Sequence, residues 1–351
     1  MKNNEGIRVE EVPSCMLCGS EGVLLYENLR DRLFNAPGIW TLLKCPDCRL
    51  VWLIPRPISS DIGKLYEEYY THNDTSYSAR LSGLITAVRN SILEVHMGYK
   101  NCDHDLLLKI FGKMLSLVKP IKEKVALGVM FLKGNSPGKL LDVGCGRGFF
   151  LAKMRDLGWE VVGLEPDERS AELAHKLFNL DVRKGTIEQA HFPDDTFDAI
   201  TVNHVIEHLP DPIGSLQECK RILKKDGRLI IFTPNIESLG SRRFGKAWWH
   251  LDPPRHFYIF SPLSLKCCVE KTGFNVLDLR TSARSASWTW INSYLIHRNG
   301  SIISGFQKKE GLWLRLNGMI FKIAEYMLSF IKDSGEEVFL SATKKSGRMA
   351  N

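Results

Sequence analysis

The stretch Leu140-Leu-Asp-Val-Gly-Cys-Gly-Arg-Gly-Phe149 decides how this chain is read. It opens as a short apolar strand and runs into three glycines at alternate positions, Gly144, Gly146 and Gly148. Glycine lets a backbone turn sharply there and lets a ligand approach with no Cβ in the way. An apolar helix is predicted from Phe149 to Leu157. Strand, glycine turn and helix together predict a nucleotide-cofactor site at the C-terminal edge of a parallel sheet.

Three further pieces follow in order. Glu160-Val-Val-Gly-Leu-Glu165-Pro-Asp167 reads as a second strand ending in a carboxylate, placed to accept bonds from ribose hydroxyls. Phe197 to Val202 reads as the fourth strand, within Phe192–Pro212. Leu223–Asn235 reads as a turn and a fifth strand. The glycine spacing is G-x-G-x-G, not the dinucleotide G-x-G-x-x-G.

With Asp142 ahead of it, this loop resembles the first motif of the class I S-adenosylmethionine-dependent methyltransferases. The four pieces, from Lys139 to Asn235, look like the ubiquinone-biosynthesis branch of that family. Trp248-Trp-His-Leu-Asp-Pro-Pro-Arg-His256 with Gly273-Phe274 resembles a subset of the branch, and the likeness covers Lys139 to Arg280. It implies an α/β fold, a doubly wound Rossmann-like seven-stranded sheet whose last strand is antiparallel. It also implies S-adenosylmethionine as cofactor, bound by Asp142, Gly144, Cys145, Gly146, Gly148, Glu165 and Pro166, with Thr186 and Ile187 toward the adenine and Asn203 toward the methionine end.

Composition sets the frame. The 351 residues are 44% hydrophobic, enough for a large core and about two domains. The polar start Met1-Lys-Asn-Asn-Glu5 predicts no secretory leader and a cytoplasmic protein. Nine cysteines then read as reduced thiols or metal ligands. A net charge of +7 permits an acidic partner without demanding nucleic acid.

Cys15-Met-Leu-Cys18 and Cys45-Pro-Asp-Cys48 are two C-x-x-C hooks, the spacing of a tetrahedral zinc site. Val23–Tyr26 and Trp40–Leu43 between them read as a β-hairpin, giving a zinc ribbon over residues 1–57 with structural Zn²⁺. A helical cap or linker is expected over 58–135, including Leu65–Tyr70 and a basic face of lysines from Lys109 to Lys133. There Leu106, Ile110, Met114, Leu117 and Ile121 recur at helical spacing, with a kink or break at Pro120. The cofactor domain is expected over 136–346, with a helical insertion at 283–334 between two final strands, Gly273–Arg280 and Glu337–Lys344. Within it Leu312–Lys332 is apolar except for a stripe of Arg315, Gly318, Lys322, Glu325, Ser329 and Lys332. Such a helix either packs into an interface or lies in a membrane surface.

Methyl transfer to a hydroxyl needs a base. His204, Glu207 and His208 follow the fourth strand, and His208 is the first candidate, with His256 its competitor. His204-Val-Ile-Glu-His208 also matches H-x-x-E-H, but at a strand end rather than on a protease helix. Some relatives hold a divalent ion with E-x-x-E-H here, so a metal on Glu207, His208 and His256 stays open, although His204 stands where the first glutamate would be.

The expected function is O-methylation of a small or lipid-linked acceptor, such as a sugar of a surface polysaccharide or a quinol-like ring, with possible peripheral membrane contact through 312–332. An RNA methyltransferase gripping through the ribbon is the alternative. Residues 1–50 weaken it, with six basic side chains against seven acidic. A non-catalytic cofactor-binding module is the third reading.

Overall fold

The computed structural model describes residues 2–66, 83–100, 106–302, 311–329 and 332–345. Parts of the expected Leu65–Tyr70 helix and of the 283–334 insertion, and Cys102, lie outside the described residues.

A seven-stranded sheet runs in the order Phe274–Ser282, Glu337–Lys344, Leu223–Pro234, Phe197–Asn203, Lys139–Val143, Glu160–Glu165, Val182–Lys184. The Lys139–Val143, Glu160–Glu165 and Val182–Lys184 strands are parallel, and Phe274–Ser282 is antiparallel to Glu337–Lys344. This is the mixed α/β sheet that the sequence implies. The contacts divide the chain into two compact units, residues 70–201 with 221–230, and residues 1–69 with 202–220 and 231–351.

In the first of these, near-continuous apolar strands are buried on both faces, as a parallel sheet demands: Leu140, Leu141, Val162, Leu164, Ala199 and Ile200 are all in the core. The Glu168–Phe178 helix is capped by Asp167, which accepts the Ser170 N–H, and stops at Asn179 in the left-handed conformation. Pro120 starts rather than kinks a helix: Leu106–Ser116 ends before it, and Lys119–Leu127 carries it in its first turn, where its missing N–H costs nothing. Ile110, Met114 and Leu117 point outward.

In the second unit, Val23–Leu29, Trp40–Lys44 and Val51–Ile54 form an antiparallel sheet over buried Trp40 and Trp52. A distant segment, Tyr258–Ile259, joins it as a fourth strand beside Val51–Ile54. The Pro262–Lys271 helix opens with a Ser261/Ser264 capping box and Pro262 in its first turn. Ala286–Asn299 and Leu312–Leu328 are the insertion's two described helices. No described helix is long and apolar enough to cross a membrane.

The stripe on Leu312–Leu328 faces partly inward. Gly318 and Glu325 are buried, whereas Leu312, Trp313, Leu316, Met319, Ile320, Ile323 and Met327 are exposed. Glycine permits this: a Cβ on Gly318 would lie 2.7 Å from the Ser287 hydroxyl and 2.9 Å from its carbonyl oxygen, on the Ala286–Asn299 helix.

Candidate functional site

Gly144, Gly146 and Gly148 all take positive φ, at 68°, 52° and 78°. Their roles differ. A Cβ on Gly148 would lie 2.6 Å from Leu180 Cδ1 and 3.0 Å from Ala174 Cβ, so this glycine lets the helix pack. A Cβ on Gly146 would meet nothing within 4 Å, so this glycine borders open space. Its N–H donates to Glu165 Oε2 at 2.8 Å, and the Asp167 N–H donates to Oε1 at 3.0 Å. Each carboxylate oxygen keeps a second lone pair for a hydroxyl donor. Burial raises the Glu165 carboxyl above its usual range, against the pull of those two N–H groups.

Behind the loop, Asp142 is buried and accepts the Thr201 hydroxyl at 2.7 Å, and burial pushes its carboxyl up to about 7. Burial likewise raises the Cys145 thiol. Pro166 and Thr186 are exposed, and Ile187 is buried. Open approach at Gly146 and a ribose-type acceptor at Glu165 fit a nucleoside cofactor.

The histidines gather in the other unit. His204 adopts φ 55°, a left-handed conformation that costs a non-glycine residue energy and turns the chain at the strand end. Its Nε2 is 2.8 Å from Glu337 Oε1, and its Nδ1 is 3.3 Å from Glu207 Oε1. Arg284 grips the same Glu337, with Nη2 at 2.9 Å and Nε at 3.0 Å. Burial alone would discharge His204, but the bonds to the two carboxylates prevail and raise it to about 9. His204 is therefore a cation at neutral pH.

His208 and His256 are the opposite case. Their rings meet edge to face at 4.6 Å. Burial pushes each imidazole down to about 4. His208 Nδ1 is 3.1 Å from the Arg255 carbonyl and 3.1 Å from the Tyr66 hydroxyl. With Nδ1–H donating to that carbonyl, Nε2 keeps the lone pair. His256 Nδ1 is held the same way by the His250 carbonyl, at 2.8 Å. Glu207, held down at about 2 mainly by His204 against its own burial, accepts the Thr233 hydroxyl at 3.0 Å. Glu207, His208 and His256 bring potential ligand atoms within 4.8 Å of one another. Asn203 is exposed beside them in sequence.

Residues 119–279 match the family model described as a methyltransferase domain. They form a class I S-adenosylmethionine-dependent methyltransferase domain. Over 131 residues the chain is 37% identical to the ubiquinone biosynthesis O-methyltransferase of Actinobacillus pleuropneumoniae serotype 5b, covering 33% of this chain and 56% of that protein. It is 30% identical over 165 residues to the protein of that name from Cereibacter sphaeroides, covering 43% and 66%. A solved structure of a methyltransferase from Thermotoga maritima, described as a possible histamine N-methyltransferase, is 26% identical with a TM-score of 0.42, covering 62% of this chain and 86% of that one. The chain thus spans about half the length of the first of these curated relatives.

The methyltransferase domain's His208 loop is braced from the N-terminal sheet. Arg255 is fully buried, and both its Nη atoms donate to the Asp31 carboxylate at 2.8 Å. Its Nε reaches Asp252 at 3.1 Å. Asp31 in turn accepts the N–H groups of Leu33, Phe34 and Ala36. A backbone path runs alongside: Leu53 N–H to the Phe257 carbonyl, and Phe257 N–H to the Glu207 carbonyl. Glu337, Arg284, Arg255, Asp31 and Tyr66 are the residues that motif reading missed. Their partners lie far off in sequence, and the acidic pair Glu336-Glu337 opening the last strand was the only local cue.

The four cysteines converge. Sγ separations are 3.4 Å for Cys15–Cys48, 3.3 Å for Cys18–Cys45 and 3.9 Å for Cys18–Cys48. The two hooks are matching turns, in which Gly19 N–H donates to the Cys15 carbonyl and Arg49 N–H to the Cys45 carbonyl. Each turn ends in a left-handed residue, Gly19 at φ 80° and Arg49 at φ 64°. A tetrahedron of sulfurs about 2.3 Å from Zn²⁺ has edges of roughly 3.8 Å, so this donor set fits the ion. Four protein ligands leave no open position, which makes the site structural.

Proposed function

We propose that this chain methylates a hydroxyl of a small or lipid-linked acceptor, with His208 as general base. The observation that carries the choice of base is the contrast within the cluster. His204 is held protonated between Glu207 and Glu337, whereas His208 is neutral with its Nδ1 turned to the Arg255 carbonyl. Of these two histidines, only the one that begins unprotonated can take the acceptor's proton.

When bound, S-adenosylmethionine supplies an electrophilic methyl group on a sulfonium sulfur. Glu165 would accept the ribose hydroxyls, and Gly146 would leave room for close approach. Asn203 is assigned to the methionine end. His208 Nε2 would take the hydroxyl proton while the acceptor oxygen bonds the methyl carbon and the carbon–sulfur bond breaks, its electron pair staying on sulfur; the Arg255 carbonyl fixes the imidazole's tautomer through Nδ1–H. His256 backs His208 edge to face, and either lines the acceptor or shares the proton. The relatives named as O-methyltransferases support oxygen as the acceptor atom. A sugar of a surface polysaccharide and a quinol-like ring are the two acceptor types we favour.

Mass spectrometry of glycolipids and quinones from the native host, with and without this protein, tests the reading. The expected result is a species one CH₂ heavier only when the protein is present. Identical spectra for both classes would contradict it.

A further inference from the structure

The insertion leaves a surface that the methyltransferase reading does not use. In the Leu312–Leu328 helix, Leu312, Leu316, Ile320, Ile323 and Met327 follow at steps of three or four, with Trp313 and Met319 beside them. All are exposed, Leu312 by 73% and Ile320 by 64%. Seven large apolar side chains on one helix exceed the scattered exposure normal for a water-facing surface. Trp313 also packs against Trp290 and Tyr294, with centroids at 6.0 and 5.3 Å. An aromatic cluster thus stands at one end of the apolar face.

Charge indicates what covers it. The helix holds three ionisable side chains of clear sign: Arg315, Lys322 and Glu325. Glu325 is buried near Glu336 and Glu337, whereas Arg315 and Lys322 are exposed along a flank of the apolar face, the Lys322 ammonium donating to the Arg284 carbonyl at 3.2 Å. The exposed charge is therefore only positive. A second copy docked by the same face in two-fold symmetry would bring like charges together. An anionic bilayer surface complements them, and the apolar side chains sink below the headgroups while the cations reach phosphate. Seventeen residues make a helix about 26 Å long, enough to lie along a membrane, and it is not long and apolar enough to cross one.

We propose that the Leu312–Leu328 helix lies flat in the surface of an anionic membrane, its Leu312–Met327 face buried among the lipids. This stands apart from the acceptor's identity, because it concerns where the enzyme works.

Cosedimentation of the full chain with vesicles tests it, using phosphatidylcholine alone and phosphatidylcholine mixed with phosphatidylglycerol. The expected result is capture by the mixed vesicles at low salt, weakened on pure phosphatidylcholine and at high salt. An Ile320→Glu/Ile323→Glu double variant should bind about a hundredfold more weakly, as loss of two Ile-sized burials implies. Arg315→Glu/Lys322→Glu should lose the preference for the anionic vesicles. Both variants replace exposed side chains, and unchanged melting would show that they fold. Wild-type protein left in the supernatant with both vesicle types overturns the proposal. So does capture unaffected by the isoleucine variant. A wild-type dimer broken by that variant, with no vesicle capture, would assign the face to a second copy instead and also overturns it.

Discussion

Asp31 and Arg255 form a bidentate ion pair, 2.8 Å on both arms and fully buried, between residues 224 positions apart. Asp31 belongs to the cysteine-bearing N-terminal segment, and the carbonyl of Arg255 accepts from His208. The pair therefore ties the ribbon to the imidazole assigned as base. Burial works against the charge on Asp31, yet Arg255 and the backbone N–H groups hold its carboxyl below the usual range.

Breaking that pair leaves a buried guanidinium with one carboxylate fewer beside it, its bonds to Asp252 and the Leu65 carbonyl remaining. Asp31→Asn should destabilise the fold by about 3–5 kcal/mol, the cost of orphaning one partner of a buried pair. Thermal melting checks the stability loss. Calorimetry with S-adenosylhomocysteine should show cofactor affinity retained, because Glu165 and the glycine loop are untouched.

His208→Ala should lower methyl transfer by about 10²- to 10⁴-fold once an acceptor is in hand, with cofactor affinity unchanged. Single-turnover rates check it. Transfer at the wild-type rate would remove His208 as base and leave the domain assignment standing.

His204 makes stability pH-dependent with a definite sign. Its folded pKa, about 9, lies above the ordinary 6.5. The stabilisation is therefore fully present below pH 6.5 and is lost as pH rises through about 9. His204→Gln should abolish this part of the decline, worth on the order of 2–3 kcal/mol. Denaturant midpoints of wild type and variant from pH 6 to 9.5 check it: the gap between them should narrow as pH rises.

Zinc should be found at one ion per chain by elemental analysis, held by Cys15, Cys18, Cys45 and Cys48. Stripping it, or making Cys45→Ser, should loosen the sheet in which Val51–Ile54 pairs with Tyr258–Ile259. Histidine ring NMR should then show His208 and His256 shifting in the zinc-free protein. Metal-free protein with an unchanged histidine spectrum would separate the ribbon from the site.

The sequence made legible whatever is written locally. Leu140–Phe149 carries its strand, turn and helix within ten residues, and each cysteine hook carries its own turn. The Glu337–His204–Arg284 triplet and the Asp31–Arg255 pair were not legible, because each joins residues brought together only by folding. The sequence named His208 as first candidate with His256 as its competitor, and nothing local marked His204 as the imidazole held between two carboxylates. On the polar stripe of Leu312–Leu328, Gly318 and Glu325 turn inward, since glycine allows the close helix approach that a larger residue would block.

The proposed methyl transfer requires that the Asp142–Phe149 bend and Glu165 hold a sulfonium nucleoside. Titration calorimetry with S-adenosylhomocysteine tests it most directly. Saturable heat is expected at one site per chain, lost in Glu165→Ala and in Gly146→Val, whose side chain would enter the open space beside the loop at a strained φ of 52°. No heat with folded wild-type protein, or binding of a nicotinamide dinucleotide there instead, would contradict it.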